Sequence, residues 1–215
     1  MGQVRICIIC NGTLNGVDFN RNTLADADTV ICADGGANHA FSLGVVPDYV
    51  IGDMDSVGAE VLHKLENNKG TRVIVDKDQD RTDTELAIEL ALTLDPQEIL
   101  LLCAIGARID HTIANIICLN MIREIPARIL DKDNEIYLMQ GNDLKNNLEL
   151  SGRKDDIVSV IPLNELKGLE YDGLKWDVPD KVKNFGWLGI CNRMSDDQAK
   201  ISFESGDVIV IKIKR

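Results

Sequence analysis

No stretch of this 215-residue chain is apolar for long enough to span a bilayer, and Met1 to Ile6 runs into a strand pattern with no apolar signal region. The expectation is a cytoplasmic chain with no membrane partner. Positive charge is scarce too. Lys and Arg number 23 against 35 Asp and Glu, and the net charge of −12 repels phosphodiester backbones, which argues against nucleic acid as a partner. A cation or a cationic substrate suits such a field better. Neither a Walker P-loop nor a G-x-G-x-x-G turn occurs, so both familiar nucleotide grips are missing. The Cys7 and Cys10 pair has no second pair to complete a zinc site, and within a strand positions three apart face opposite ways. These thiols read as buried, reduced core residues. Repeats, low-complexity tracts and a Pro/Ser-rich linker are absent as well.

The chain does have an ordinary globular composition, 45% hydrophobic and 27% charged. Gln3 to Cys10, Asp28 to Ala33, Tyr49 to Ile51, Thr71 to Val75 and Glu98 to Ile105 read as strands, most of them apolar throughout, as in a parallel sheet buried on both faces. After most of them a turn leads to a helical pattern: Ala37 to Leu43, Val57 to Leu65 with Ser56 as its cap, the stretch from Asp83, and Ile113 to Ile122. Ala127 to Leu130 and Glu135 to Met139 read as further strands. Beyond Gly141 the stretches are short and alternating (Asn147 to Leu150, Asp156 to Pro162, Leu169 to Trp176, Ala199 to Phe203, Asp207 to Ile213), with Gly189 to Asn192 in a loop between two of them. The expected architecture is an α/β domain on a parallel sheet over residues 1–140, followed by a small antiparallel, sandwich-like β domain over residues 141–215.

The carboxylates carry the functional signal. Asp34, the Asp53 and Asp55 pair, Asp76 to Asp83, and Asp110 all follow strands, and ligands of open α/β sheets bind at the carboxyl ends of strands. Thr82 and Glu85 form a capping-box pattern that starts a helix near Asp83, with Leu86, Ala87, Leu90, Ala91 and Leu94 on its buried face. The Asp-rich loop is not a calcium loop: Arg81 stands where the sharp turn needs Gly, and Ala87 where a bidentate Glu belongs. Taken alone it is also compatible with a solvated acidic loop. Two carboxylates two apart can share a hard cation such as Mg²⁺. Gly35-Gly36 reads either as a plain tight turn or as a close backbone approach to a ligand at a helix start. Arg108 reads as a phosphate fork or as an ion pair with Asp110, and His111 as a ligand donor or a packing residue. A cation, carboxylates and an arginine together suit phosphoryl chemistry on a metal-bound nucleotide.

Ala33-Asp34-Gly35-Gly36-Ala37, Gly52-Asp53-Met54-Asp55-Ser56, Asp78-Gln79-Asp80-Arg81-Thr82-Asp83 and Gly106-Ala107-Arg108-Ile109-Asp110-His111-Thr112, in this order, resemble the thiamine pyrophosphokinase family. Gly173-Leu174-Lys175-Trp176 and Gly189-Ile190-Cys191-Asn192 resemble its two thiamine-site segments, although Cys191 and Arg193 flank Asn192 where the family often has Ser and an acidic residue. The resemblance implies transfer of a diphosphoryl group from Mg-ATP to the thiamine hydroxyl, in a homodimer. It implies Asp53, Asp55 and Asp83 as Mg²⁺ ligands, and Asp34, Gly35, Gly36, Gln79, Asp80, Thr82, Arg108, Asp110 and His111 as nucleotide-positioning residues. Trp176 and Asn192 fall to thiamine, and Asp83 or Asp80 to the hydroxyl proton. The acidic edge alone also allows a metal-dependent phosphohydrolase, a kinase for another hydroxyl substrate, or a non-catalytic thiamine-binding protein.

Overall fold

The computed structural model describes residues 4–78, 80–141 and 146–215, and its chain divides into two compact units, 1–132 and 133–215. The first is a parallel sheet of six strands, β1 (Arg5–Ile9), β2 (Thr29–Ala33), β3 (Tyr49–Gly52), β4 (Arg72–Val75), β5 (Glu98–Leu102) and β6 (Ala127–Leu130), in the order β6-β5-β1-β2-β3-β4. The chain runs outward from β1 in both directions, which makes the crevice between β1 and β5 the topological switch point of the sheet. The all-apolar runs become the central strands because both of their faces are covered: Ile6, Cys7, Ile8 and Ile9 are fully buried.

Among the described residues five α-helices clothe this sheet: α1 (Val17–Ala25), α2 (Gly36–Ser42), α3 (Ala59–Asn67), α4 (Asp83–Leu92) and α5 (Ile109–Cys118). Leu24 of α1, Ala37 and Ala40 of α2 and Leu65 of α3 share a core with Cys7, Ile9, Val30, Cys32 and Val50, one face of the strands. α4 crosses β1, β2 and β3 with Leu86, Ala87, Ile88 and Ala91 buried. Its expected capping box is formed: Thr82 Oγ accepts from the Glu85 N–H at 3.2 Å, and the Glu85 carboxylate accepts from the Thr82 N–H at 2.7 Å.

Three of these helices depart from the sequence reading. α1 escaped it because the helix starts at Gly16, in a left-handed conformation (φ 77°), and buries only Asn20 and Leu24, so neither a polar cap nor an apolar period marks it. α3 starts at Gly58 without a side-chain cap, and the Ser56 hydroxyl instead donates to Asp55 Oδ1 at 2.8 Å. α5 begins four residues earlier than the expected Ile113, bringing Asp110, His111 and Thr112 into its first turn.

The second unit is built of two antiparallel sheets. One holds β7 (Asn134–Gln140), β9 (Ile157–Pro162), β11 (Gly189–Arg193) and β13 (Asp207–Ile213) in the order β11-β9-β13-β7. The other holds β8 (Asn147–Ser151), β10 (Glu170–Asp172) and β12 (Gln198–Ser202) in the order β10-β12-β8. Val158, Val160, Val208 and Val210 from the first sheet and Leu150, Ala199 and Ile201 from the second fill the core of this sandwich. β7, read from sequence as a further strand of the α/β half, pairs here with β13. Gly189 to Asn192, read as loop, is strand β11, whose register with β9 shifts between Gly189 and Asn192 where Cys191 takes φ 65°. That bulge hides the strand period from a sequence reading.

Candidate functional site

A cavity of about 720 Å³ opens in the first unit at the carboxyl ends of β1 to β5. Each strand is followed by residues that line it: Cys10 to Thr13 after β1, Asp34 after β2, Asp53, Asp55 and Ser56 after β3, Asp76, Asp78 and Arg81 after β4, and Ala104, Gly106, Ala107 and Arg108 after β5.

Asp34 sits nearly buried, at 3% exposure, with φ 40°. Its N–H donates to the Ile51 carbonyl at 2.8 Å and its Oδ2 accepts from the Ser56 N–H at 3.2 Å, but its buried Oδ1 has no partner. Burial pushes its carboxyl above the ordinary range despite the Ser56 and Gly35 contacts. Asp53 Oδ1 accepts from the Asp55 N–H at 3.1 Å, in a turn where Met54 takes φ 69°. Asp34, Asp53 and Asp55 can each offer one oxygen within 4.8 Å of the others. Asp83 joins them because β3 ends in glycine: a Cβ on Gly52 would stand 2.6 Å from Asp83 Oδ1 and 2.8 Å from the Asp34 Cβ. The Asp83 carboxyl is pushed up to about 6, first by burial and then by Asp34, Asp53 and Asp55. Four carboxylates gathered this way repel one another, and a hard, oxygen-seeking cation relieves the repulsion.

The β5 side of the cavity carries the opposite charge. Arg108, the residue before α5, is largely exposed and forks onto Asp110, with Nε to Oδ1 at 3.0 Å and the terminal nitrogen to Oδ2 at 2.6 Å. The guanidinium beside it holds the Asp110 carboxyl well below the usual carboxylate range. His111 lines the cavity next to it. The Thr112 hydroxyl accepts from the Gly106 N–H at 3.1 Å and the buried Asn115 amide donates to the Ala104 carbonyl at 2.8 Å, which ties the loop after β5 to α5.

Of the residues singled out from sequence, Asp34, Asp53, Asp55, Thr82, Asp83, Arg108 and His111 border this cavity together. Asp80 and Asp110 are not among its lining residues, and Gln79 lies outside the described residues. Gly35 and Gly36 do not line it either. A Cβ on Gly36 would run into the Ile9 carbonyl oxygen, and one on Gly35 into the Asn11 side chain, so the close approach these glycines permit is to the chain itself. The sequence reading singled out none of Asn11, Gly12, Thr13, Arg81, Thr84 and Asn115 as site residues, yet all six line the cavity. A Cβ on Gly12 would stand 2.6 Å from the Ile105 carbonyl oxygen, so a glycine there is required by the neighbouring loop.

In the second unit Trp176 is half exposed and so does not fill the core there. The Lys175 ammonium lies over its ring, 4.6 Å from the centre, a cation–π contact within the chain. Asn192 holds this segment: its Oδ1 accepts from the Trp176 N–H at 3.1 Å, and its amide donates to the Trp176 carbonyl at 2.7 Å.

Comparison with known proteins completes the description. Residues 20–129 match the family model "Thiamin pyrophosphokinase, catalytic domain", and residues 144–208 match "Thiamin pyrophosphokinase, vitamin B1 binding domain". A thiamine pyrophosphokinase of Bacillus subtilis is 26% identical over 186 residues, covering 85% of this chain and 86% of the relative. Thiamine pyrophosphokinase 1 of Oryza sativa is 25% identical over 210 residues, covering 86% and 78%. The crystal structure of thiamine pyrophosphokinase from Bacillus subtilis superposes with a TM-score of 0.84 at 24% identity over 98% of this chain and 99% of the other. The yeast structure gives 0.78 at 20% identity over 99% and 87%.

Proposed function

Since the chain belongs to the thiamine pyrophosphokinase family, we propose that the cavity at the strand ends is where the diphosphoryl group of ATP passes to the hydroxyl of thiamine, giving AMP and thiamine diphosphate. The observation that carries this reading is the convergence of Asp34, Asp53, Asp55 and Asp83 on one wall of a cavity whose other wall holds Arg108 and His111.

The carboxylate wall fits Mg²⁺: its donors are all hard oxygens, Asp34, Asp53 and Asp55 can each offer one within 4.8 Å of the others, and the buried Asp34 Oδ1 has no hydrogen-bond partner. Asp53, Asp55 and Asp83 would hold the ion, with Asp34 beside them. When bound, it supplies charge neutralisation on the phosphoryl oxygens of the nucleotide. The remaining work belongs to the side chains. Arg108, exposed and forked onto Asp110, can exchange that carboxylate for a phosphate with the same planar fork. His111 and Thr112, at the start of α5, meet an anion at the positive end of the helix. Asp83 borders the cavity and Asp80 does not, which favours Asp83 over Asp80 as the acceptor of the hydroxyl proton. Trp176 and Asn192 are assigned to thiamine, whose fixed positive charge suits a tryptophan face.

The test is incubation with Mg-ATP, with and without thiamine. AMP release that requires thiamine supports the reading; phosphate release without thiamine points to a hydrolase, and tight thiamine binding without turnover to a binding protein. The same reading carries a homodimer and a cytoplasmic setting, which sedimentation and cell fractionation check. Among the described residues no helix is long and apolar enough to cross a membrane.

A further inference from the structure

Six aspartates border the cavity, and their side chains are not equivalent. Asp76 and Asp78 are two residues apart, as Asp53 and Asp55 are, so on spacing alone either pair can share a hard cation. The difference between the pairs lies in Arg81. Its Nε donates to Asp78 Oδ2 at 2.8 Å, one terminal nitrogen to Asp76 Oδ2 at 3.2 Å, and the other to Glu89 Oε2 on α4 at 2.7 Å. The remaining oxygens are taken by the loop backbone: Asp76 Oδ1 accepts from the Asp78 N–H at 2.9 Å and Asp78 Oδ1 from the Asp80 N–H at 3.0 Å. Both carboxylates thus have both oxygens engaged. Across the cavity the buried Asp34 Oδ1 has no partner, and no basic side chain is paired with Asp34, Asp53, Asp55 or Asp83 among the described residues.

We propose that Arg81 is a positioning residue that withdraws Asp76 and Asp78 from the cation site, so that a divalent ion is held by Asp53, Asp55 and Asp83, with Asp34 beside them. The proposal rests on the reading of those four as the cation site given above. The fork explains the residue type. One planar guanidinium reaches two loop carboxylates and a helix carboxylate at once, whereas a lysine ammonium is a single point of charge. Glu89 fixes the far nitrogen to α4, the helix whose first residue is Asp83, so the loop is braced against the element that carries part of the site. Without the brace, the Asp76 and Asp78 pair becomes a second seat for the ion at the edge of the same cavity, away from the productive one.

The test uses Mn²⁺ as the probe, its binding read directly from its electron-spin signal on the full chain without nucleotide. Arg81→Gln is expected to bind an additional Mn²⁺ per chain, and so is Arg81→Lys. Asp76→Asn/Asp78→Asn/Arg81→Gln returns to the wild-type number, a rescue that a merely structural role for Arg81 would not give. Asp76→Asn/Asp78→Asn with Arg81 in place binds as wild type does, and this arm decides even where Arg81→Gln fails to fold. The proposal is overturned if Arg81→Lys or a folded Arg81→Gln binds no more Mn²⁺ than wild type, or if Asp76→Asn/Asp78→Asn loses bound ion. A rise in the ATP KM of Arg81→Gln with Mn²⁺ binding unchanged also overturns it, in favour of a phosphate contact. Asp53→Asn/Asp55→Asn separates the two levels. If that variant binds Mn²⁺ as wild type does, the cation-site reading falls and the proposal with it; if it loses the ion while the Arg81 variants bind as wild type, the proposal falls alone.

Discussion

Replacing Asp83 by asparagine should stabilise the protein in the absence of divalent cations while abolishing most of its activity. Asp83 is isosteric with asparagine and sits at the first position of α4, partly buried beside three other carboxylates that, with burial, raise its carboxyl from 3.8 to about 6. A shift of that size corresponds to a ceiling of roughly 3 kcal/mol at about 1.4 kcal/mol per pH unit. Screening by solvent in the open cavity reduces it to about 1 to 2 kcal/mol. Asparagine forfeits the favourable interaction of a carboxylate with the helix N-terminus, about 0.3 to 1 kcal/mol, which leaves a gain on the order of 1 kcal/mol. For a chain of this size that is a rise of about 2 to 4 °C in melting midpoint.

The sign with pH follows from proton counting. Between the ordinary carboxylate value and about 6, the folded protein holds the Asp83 proton and the unfolded chain has lost it, so stability falls as pH rises through this window. Wild type and Asp83→Asn should therefore melt together at pH below about 4 in this respect and separate by pH 7, with the variant higher. Melting by circular dichroism in chelator across that range reads the difference. Added Mg²⁺ should raise the wild-type midpoint more than that of the variant, because a ligand that binds only the folded state stabilises it. A variant that melts at or below wild type at pH 7 in chelator would refute the argument that these carboxylates are held together against their repulsion.

Arg108→Lys should raise the ATP KM with an unchanged melting midpoint, because the Arg108 and Asp110 pair is largely solvent-exposed and such pairs contribute little stability; a lower midpoint with an unchanged KM would make the residue structural. Trp176→Ala should raise the thiamine KM by roughly a few-fold to thirty-fold, the equivalent of a cation–π contact of about 0.5 to 2 kcal/mol, and leave the ATP constant alone. The half-exposed ring should cost little stability, so a melting midpoint that falls with both constants unchanged would remove it from the site. Thr82→Ala removes the hydroxyl half of the capping box, leaving the backbone N–H of residue 82 to donate to Glu85, and should destabilise the chain by about 1 kcal/mol in chemical denaturation.

The parts of the fold legible in the sequence are those where one local signal has one meaning. Ile6 to Ile9 and Ile99 to Leu102 are apolar on both faces and bounded by turns, which only a buried strand of this length satisfies, and Thr82 with Glu85 fixes the start of α4. α1 was not legible, because its first residues satisfy the chain through Asn20, whose amide donates to the Asn15 and Gly16 carbonyls at 2.8 and 2.9 Å rather than through any cap motif. β11 was not legible because its bulge at Cys191 breaks the alternation on which a strand is recognised.

At the site, the rule that ligands gather at the carboxyl ends of parallel strands was enough to bring Asp34, Asp53, Asp55 and Asp83 to one place, since each directly follows a strand or its loop. What spacing does not reveal is which groups are already engaged. Asp110 and Asp34 look alike as acidic residues after strands, yet one is held by an arginine in open solvent and the other is buried with a free oxygen. Asn192 illustrates the same limit from the other side. Both ends of its amide are spent on the Trp176 backbone, so its influence on a ligand passes through the posture of that tryptophan. Gly52 shows that the decisive residue need carry no functional group at all: its missing Cβ is the space in which Asp34 and Asp83 approach, and any side chain there would push apart carboxylates proposed to gather around the cation.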